Sequence, residues 1–320
     1  MISWPSLGTR VTVRYRRPAG SLPPLTDAVG HLLAVDPVVR VRTKTGAVVE
    51  LAPADVVALR ELTDAPVRTS DIRALERAAA AAWPGVEQAW LDGWLLRAAP
   101  GAGLAANSAV PLDLSAGVGA VAAIVAWYGR RGLTPRLAVP DRLLRLPPGL
   151  PPLRTERVLV RDLPDASASD PNPAVALSSR PDEAWLRAYG RDVPVDVLTA
   201  VIDGEAVFGA SPGAAVARAA VTDAPDGTRW VGLSAVRGSD EPSTVALCQA
   251  LLAWGADRGA TRGHLVVPDT EALDEALTEA LTDSLGFRPH HRRRYVPAEP
   301  HPWDTVEPCP TAPCGWPPGT

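Results

Sequence analysis

The first part of the chain alternates hydrophobic and polar positions in short runs. A period of two governs residues 9–16 (TRVTVRYR) and residues 38–43 (VVRVRT). Because successive side chains of a strand point to opposite faces, these runs predict strands with one buried face. Turn residues separate the runs, and four or five strands within about 60 residues predict a small all-β, SH3-like barrel over residues 1–66.

Farther along the chain, apolar positions also recur with the helical period. Ser70 can cap a helix, and the alanine-rich run after it favours one. Buried strands are predicted for residues 230–236 (WVGLSAV) and 264–267 (HLVV), which are almost wholly apolar. The predicted helices include residues 70–83, 116–131 and 244–259. This mixture of strands and helices predicts an α+β fold, made of mixed α/β lobes that follow the small barrel.

Two stretches of the chain resemble each other. The triplet SAV occurs at residues 108–110 and again at residues 234–236. The run AWYGRRGLTPRLAVP at residues 126–140 matches AWGADRGATRGHLVVP at residues 253–268, with tryptophan, Arg-Gly and threonine in register. We interpret this as a tandem repeat of one strand-helix-strand unit. A chance likeness between two alanine-rich units of the same kind is the alternative.

Composition narrows the class of protein. Of 320 residues, 46% are hydrophobic and 21% charged, which excludes global disorder. The net charge of −4 argues against a nucleic-acid or anionic-membrane partner. Cys248, Cys309 and Cys314 form no disulfide framework and no zinc spacing, so no metal is expected. The chain shows no signal peptide or membrane span, which predicts a cytoplasmic protein, and a homo-oligomer is left open.

The chain resembles the GNAT (Gcn5-related) N-acetyltransferase superfamily, and within it an actinobacterial group that carries an SH3-like barrel. The resemblance rests on WLDGWLLRAAPGAGLAANSAVPL, ALLAWGADRGA and SLGFRPHHRRRYV, and it reaches Val296. It implies direct acetyl transfer from acetyl-CoA to an amine acceptor, either a small molecule or a protein. The predicted division is a barrel at 1–66, a degenerate first lobe at 67–153, an acetyltransferase lobe at 154–297, and a disordered proline-rich tail at 298–320.

The resemblance also implies a coenzyme site. The backbone of Ala235 and Val236 would end the central strand and polarise the thioester carbonyl. A loop and helix N-terminus would hold the diphosphate. The loop and helix positions implied by this alignment are Arg237, Gly238, Ser239, Ser243 and Thr244.

Three departures from the family pattern put this chemistry in question. Asp240, Glu241 and Pro242 replace the arginine-rich diphosphate loop, and they suit the start of a helix better than a phosphate site. Thr282 stands where a tyrosine usually protonates the thiolate, and Ala106 stands where the first lobe usually has arginine. The alternative hypothesis is therefore a pseudoenzyme, a non-catalytic GNAT-fold module that binds a ligand or scaffolds a protein.

Candidate catalytic groups are few. His264 opens the second central strand, where it is either a general base or a hydrogen-bonded core histidine, and Thr282 is the other candidate. His290 and His291 are adjacent on a predicted strand, so they are expected to face opposite sides and not to bind one metal together. The sequence assigns no catalytic residue.

Overall fold

A computed structural model of the chain forms two compact units, residues 1–67 and 68–320. The structure describes residues 4–5, 7–18, 20–62, 67–147, 150–164, 175–211, 215–238, 240–269 and 282–298. The tail predicted to be disordered, apart from Ala298, lies outside these ranges. Within them, no helix has the length and apolar character needed to cross a membrane.

The first unit is an antiparallel sheet of five strands in the order β4-β3-β2-β1-β5. Its strands are β1 (Arg10–Arg16), β2 (Leu25–Ala34), β3 (Val39–Thr43), β4 (Val48–Leu51) and β5 (Val56–Glu61). Alternate residues such as Val11, Val13 and Val41 are fully buried, as the period of two predicts. The small all-β unit is thus confirmed. Closure into an SH3-like barrel is not, because β4 and β5 stand at the two edges of the described sheet.

The second unit is built on one sheet of eleven strands, in the order β11-β12-β13-β14-β15-β10-β16-β9-β8-β7-β6. Its strands are β6 (Glu87–Leu91), β7 (Trp94–Ala98), β8 (Ala109–Pro111), β9 (Arg136–Pro140), β10 (Arg154–Asp162), β11 (Ala176–Ser178), β12 (Glu205–Ser211), β13 (Ala215–Asp223), β14 (Arg229–Arg237), β15 (Arg262–Pro268) and β16 (Arg288–Pro297). The mixed α+β fold predicted for this part is confirmed.

The order of this sheet is nearly symmetric about the β10 and β16 pair. Each half contains one parallel pair, β8 with β9 and β14 with β15, and the other neighbours are antiparallel. β10 follows β9 in the chain but pairs with β15, whereas β16 follows β15 but pairs with β9. The two halves therefore exchange their last strands, and a single sheet results.

Helices cover both faces of this sheet. They include α1 (Thr69–Ala82), α2 (Val121–Gly129), α3 (Glu183–Tyr189), α4 (Val195–Thr199) and α5 (Glu241–Ala256). α5 packs on the face that carries Val231, and α1 packs on the opposite face with the adjacent Trp230. The predicted cap of α1 was wrong: Ser70 lies inside the first turn, and the Asp71 carboxylate accepts from the backbone N–H of Arg68 at 3.4 Å.

The repeated segments make equivalent contacts in the two halves. The guanidinium of Arg131 stacks on Trp127 and pairs with Glu87, and that of Arg258 stacks on Trp254 and pairs with Glu205. In each half, the arginine follows the helix, the tryptophan belongs to it, and the glutamate begins an antiparallel strand two places from the strand of the parallel pair, β6 in the first half and β12 in the second. These matched contacts are what the predicted internal repeat requires.

Candidate active site

Strand β14 contains a bulge close to its end. Arg218 of β13 pairs with Ser234, but Val216 pairs with Arg237, so β14 has one extra residue between them. At this position Ala235 has a φ of 53°, in the left-handed region that an alanine rarely adopts. A bulge of this kind frees backbone groups from the ladder and redirects neighbouring side chains.

The two central parallel strands part at the same level. Their pairing runs from Trp230 with Arg262 to Leu233 with Leu265, and both strands continue beyond it. On the α1 face, a cavity of about 240 Å³ opens beside this point. It is lined by β14 from Gly232 to Ala235, and by side chains from α1, β7, β13, β15 and β16. The end of the strand ladder therefore opens onto a space large enough for a small molecule.

His264 lines this cavity from β15. Its side chain is only 5% exposed, and neither ring nitrogen has a hydrogen-bond partner among the described residues. Burial lowers the pKa of His264 to about 4, so the ring is neutral near neutral pH. Gly232 pairs with His264 and makes room for the ring, because a Cβ there would lie 2.3 Å from Nε2. Among the described residues, the structure therefore shows no hydrogen-bond partner of the kind that the core-histidine alternative requires.

Two buried arginines also line the cavity. Arg218 donates to the carbonyl oxygens of Leu198, Ala82 and Ala200 and to the hydroxyl of Ser234. Burial lowers the pKa of Arg218 to about 9. Its guanidinium also lies 4.9 Å from the ring centre of Trp83.

Arg97 occupies the corresponding place in the first half. It donates to the carbonyl of Trp83 and to the hydroxyl of Ser108, at 3.2 and 3.3 Å. Burial lowers the pKa of Arg97 as well. Ser108 and Ser234 begin the two SAV triplets, so the arginine-serine contact is repeated in both halves.

A buried ion-pair network lies on the β16 side of the cavity, and two of its members, Arg293 and Glu156, line the cavity. Arg293 donates to Glu76 at 2.9 Å and to Glu156 at 2.9 Å. Glu76 also accepts from His291 Nε2 at 2.8 Å. Burial raises the pKa of the Glu76 carboxyl, but the charge of Arg293 and the hydrogen bond with His291 outweigh it and lower the pKa to about 2. Glu76 is therefore ionised at neutral pH.

The expected separation of His290 and His291 was wrong. Their Nδ1 atoms lie 2.7 Å apart. The register of β10 with β16 shifts between Val158 and Leu159, where the partners are His291 and Pro289. The extra residue breaks the alternation of side chains and brings the two rings together. Within the described ranges, no cluster of three or more metal-ligating side chains occurs.

The predicted diphosphate loop leads into the start of α5. Asp240 is the N-cap, and its carboxylate accepts from the N–H of Ser243 at 2.9 Å. Thr244 is fully buried, and its hydroxyl donates to the carbonyl of Asp240 at 2.7 Å. A phosphate at a helix N-terminus binds the free backbone N–H groups of the first turn. Here Pro242 has no N–H, and the Asp240 carboxylate already accepts from the N–H of Ser243, so fewer donors are left for a phosphate.

The structure brings only some of the predicted site residues together. Ala235 and His264 line the cavity, whereas Val236 packs toward the α5 core. Thr282 is described, but it is not among the described residues that line the cavity. Arg237 and Gly238 continue toward α5 with Ser243 and Thr244, and Ser239 lies outside the described residues.

Sequence reasoning missed Arg97 and Arg218. Each stands as a single charged residue in an apolar strand, within WLLRAA and AVARAAV. A buried strand rarely accepts an unpaired arginine, so this interruption was the available signal.

The chain is similar to proteins of one named family. Residues 69–296 match the family described as "Probable histone acetyltransferase Rv0428c C-terminal", and residues 5–60 match "Rv0428c N-terminal Sm-like domain". "Probable histone acetyltransferase Rv0428c" of Mycobacterium tuberculosis (strain ATCC 25618 / H37Rv) is 64% identical over 310 residues, which cover 95% of this chain and 100% of that protein. The N-terminal match is thus to an Sm-like domain, where an SH3-like barrel was expected.

Solved structures with a similar arrangement include two GCN5-related N-acetyltransferases. That of Kribbella flavida has a TM-score of 0.46 and 15% identity, and covers 73% of this chain and 96% of its own. That of Sphaerobacter thermophilus has a TM-score of 0.35 and 14% identity, and covers 72% of this chain and 93% of its own. Both scores are low, so the family assignment depends on the sequence matches.

Proposed function

The chain belongs to the family of the probable histone acetyltransferase Rv0428c and is an acetyltransferase of that family, and we propose that it transfers acetyl from acetyl-CoA to an amine. One observation carries this proposal: the bulge at Ala235 and the parting of β14 from β15 open onto a cavity that holds the buried His264, whose ring nitrogens have no hydrogen-bond partner in the described part of the chain. Such a site offers backbone donors and a base side by side.

The proposed reaction is a direct transfer. The amine nitrogen of the acceptor attacks the thioester carbonyl, a C–N bond forms, and the C–S bond breaks. Backbone N–H groups at Ala235 and Val236 stabilise the oxyanion that develops on the carbonyl oxygen. The amine proton passes to His264, and the departing thiolate takes up a proton from solvent or from an acid that we do not assign.

His264 suits the role of base by its protonation state and place. Because burial keeps its pKa near 4, the ring is neutral and can accept a proton at neutral pH. A base this weak needs the amine to arrive neutral or to lose its proton as the C–N bond forms. Proton acceptance is therefore expected to be concerted with attack.

The identity of the acceptor amine follows only partly from the family. The name of the Mycobacterium tuberculosis relative describes a histone acetyltransferase, so a protein lysine is one candidate acceptor. For acetyl-CoA, the start of α5 is a poor diphosphate site, since Asp240 caps it. This observation favours a second candidate, a binding module without catalysis.

The two candidates differ in a direct assay. We expect saturable binding of acetyl-CoA by calorimetry and release of free thiol when amines are added. His264→Asn should lower kcat by about 100-fold or more, since a general base contributes at least that much, and should leave coenzyme affinity unchanged. The matched control is His31→Asn, a histidine of β2 in the first unit.

Each result of this assay has a clear meaning. If acetyl-CoA shows no saturable binding at millimolar concentration, the transferase proposal fails and the binding-module candidate stands. If transfer occurs but His264→Asn retains the wild-type kcat, the enzyme is real and the assigned base is wrong.

A further inference from the structure

We infer that the acceptor carries an anionic group, a carboxylate or a phosphate, which Arg97 and Arg218 bind in the cavity beside His264. This inference rests on the proposed function, because it names the substrate class of the same site. The basis is the positive charge of these two buried arginines, for which the described residues provide no acidic partner.

Arg218 has no acidic partner in the described part of the chain. It is 1% exposed, and the groups that accept from it are three backbone carbonyls and the hydroxyl of Ser234. Carbonyl oxygens satisfy the N–H groups of a guanidinium but do not cancel its charge. A buried charge is normally paired, so Arg218 is an exception that needs a reason.

Arg97 is the same exception on the other side of the cavity. It is 3% exposed, and within the described ranges it donates only to a backbone carbonyl and to Ser108. Its Nε has no hydrogen-bond partner among the described residues. This free donor is the kind of group that a carboxylate or phosphate oxygen accepts from.

The buried carboxylates near the cavity are already engaged. Glu76 and Glu156 both accept from Arg293. This cluster contains one guanidinium, that of Arg293, and two carboxylates. When the guanidinium groups of Arg97 and Arg218 are added, the buried groups have a net charge of about +1 if all are ionised. Arg154, which pairs with Glu156, adds another positive charge at the wall. An anionic ligand would balance this excess.

The spacing along β14 indicates a small acceptor. Ser234 contacts Arg218, and Gly232 contacts His264. These two residues of β14 are two positions apart, so they lie on the same face of the strand, about 7 Å from each other. A molecule held by its anionic group near Ser234 would present an amine near His264 if a few bonds separated the two groups. Amino acids and aminoalkyl phosphates have this form.

The same charges disfavour a lysine-rich acceptor. A lysine side chain would bring its ammonium toward two arginines, and neighbouring basic residues of a histone tail would add to the repulsion. Both arginines are buried, and this loss of water around their charged forms lowers the pKa of each. An anion relieves this strain, and a cation increases it.

The test uses the full-length protein with acetyl-CoA and measures free thiol release. Matched acceptors differ only in the anionic group: β-alanine against β-alaninamide for a carboxylate, and O-phosphoethanolamine against ethanolamine for a phosphate. A lysine-rich histone-tail peptide is the cationic acceptor. We expect the anionic member of at least one pair to have a kcat/KM about tenfold or more above its neutral partner and above the peptide.

Two variants assign this preference to the arginines. Arg218→Met and Arg97→Met should each lower the selectivity for the preferred anionic acceptor over its neutral partner, measured as the ratio of their kcat/KM values, about tenfold. The control is Arg258→Met, which removes an arginine that also stacks on a tryptophan but pairs with Glu205 away from the cavity. This control should retain wild-type selectivity.

The outcomes separate the inference from the proposed function. Efficient transfer to the peptide or to the neutral amines, with no gain from the anionic group, would overturn the inference and leave the transferase intact. Failure of every acceptor would remove both. If the arginine variants do not fold, the preference of the wild-type protein within each matched pair still decides the question.

Discussion

Replacing Glu76 by glutamine should weaken the fold of the second unit more than any exposed ion-pair substitution. Glu76 lies on α1 and is 2% exposed, and its carboxylate joins that helix to His291 and Arg293 of β16. Glutamine keeps the size of the side chain and one acceptor oxygen. It removes the negative charge that offsets Arg293 inside the protein.

Two estimates of the loss agree in size. Folding lowers the pKa of Glu76 from 4.5 to about 2, and a shift of that extent corresponds to about 3 kcal/mol at neutral pH. Removing one partner of a buried ion pair costs roughly 3–5 kcal/mol, because the other charge stays buried without compensation. For a unit of this size, a loss of about 3 kcal/mol lowers Tm by roughly 6–12 °C.

The measurement is thermal and urea unfolding followed by tryptophan fluorescence. All described tryptophans except Trp4 lie in the second unit, so the signal reports on that unit. Glu87→Gln is the matched control, since Glu87 also pairs with an arginine but at an exposed site. A Glu76→Gln protein with the Tm of this control would show that the buried network contributes nothing to stability.

The pH dependence of this effect has a definite sign. The folded pKa of Glu76 lies below its unfolded value, so its contribution is complete above about pH 4.5 and is lost as pH falls toward about 2. The stability difference between the wild type and Glu76→Gln should therefore shrink over that interval. His264 and His290 also have lowered pKa values, mainly through burial, so both proteins lose stability as these histidines become protonated in acid. A constant difference down to pH 2 would contradict the assignment to Glu76.

Two further substitutions test the geometry of the site. Gly232→Ala should displace the His264 ring, because the new Cβ would lie 2.3 Å from Nε2. It should lower kcat about tenfold or more with little change in coenzyme affinity. A variant with wild-type kcat would show that the position of the ring is unimportant. Asp240→Asn keeps a good N-cap for α5 but removes the negative charge at the helix end. The Kd for acetyl-CoA, measured by calorimetry, should therefore fall severalfold at low salt and less at high salt. An unchanged Kd at low salt would place the diphosphate elsewhere.

Local patterns in the sequence predicted the elements well, because each depends on near neighbours. The alternation that predicts β1 and the alanine-rich run that predicts α1 reflect the period of a strand and of a helix. The capping role of Asp240 follows from the residue type alone. The pairing of β10 and β16 could not be predicted in this way. Their sequences predict strands, but no local pattern shows that each pairs with a strand of the other half of the sheet.

Bulges account for the errors in detail. The alternation rule assumes a regular ladder, and one extra residue in β16 was enough to bring His290 and His291 into contact. The bulge in β14 lies at Ala235, a residue type that gives no indication of a positive φ. The position of this bulge could be predicted only from the family resemblance, because neither the composition nor the hydrophobic period of the sequence indicates it.

The arginines of the cavity show why the first half of the repeat matters to the second. Arg97 belongs to β7, and Ala79, Ala82 and the next residue, Trp83, lie at the end of α1. The cavity beside β14 is therefore lined partly by elements that precede the second half in the chain. The carbonyl oxygens of Trp83 and Ala82 each accept from one of the two arginines, and the end of α1 therefore holds both in place. The first half thus helps to shape the proposed acceptor site of the second half. Because the exchanged strands β10 and β16 run between the halves, neither half can form this site alone.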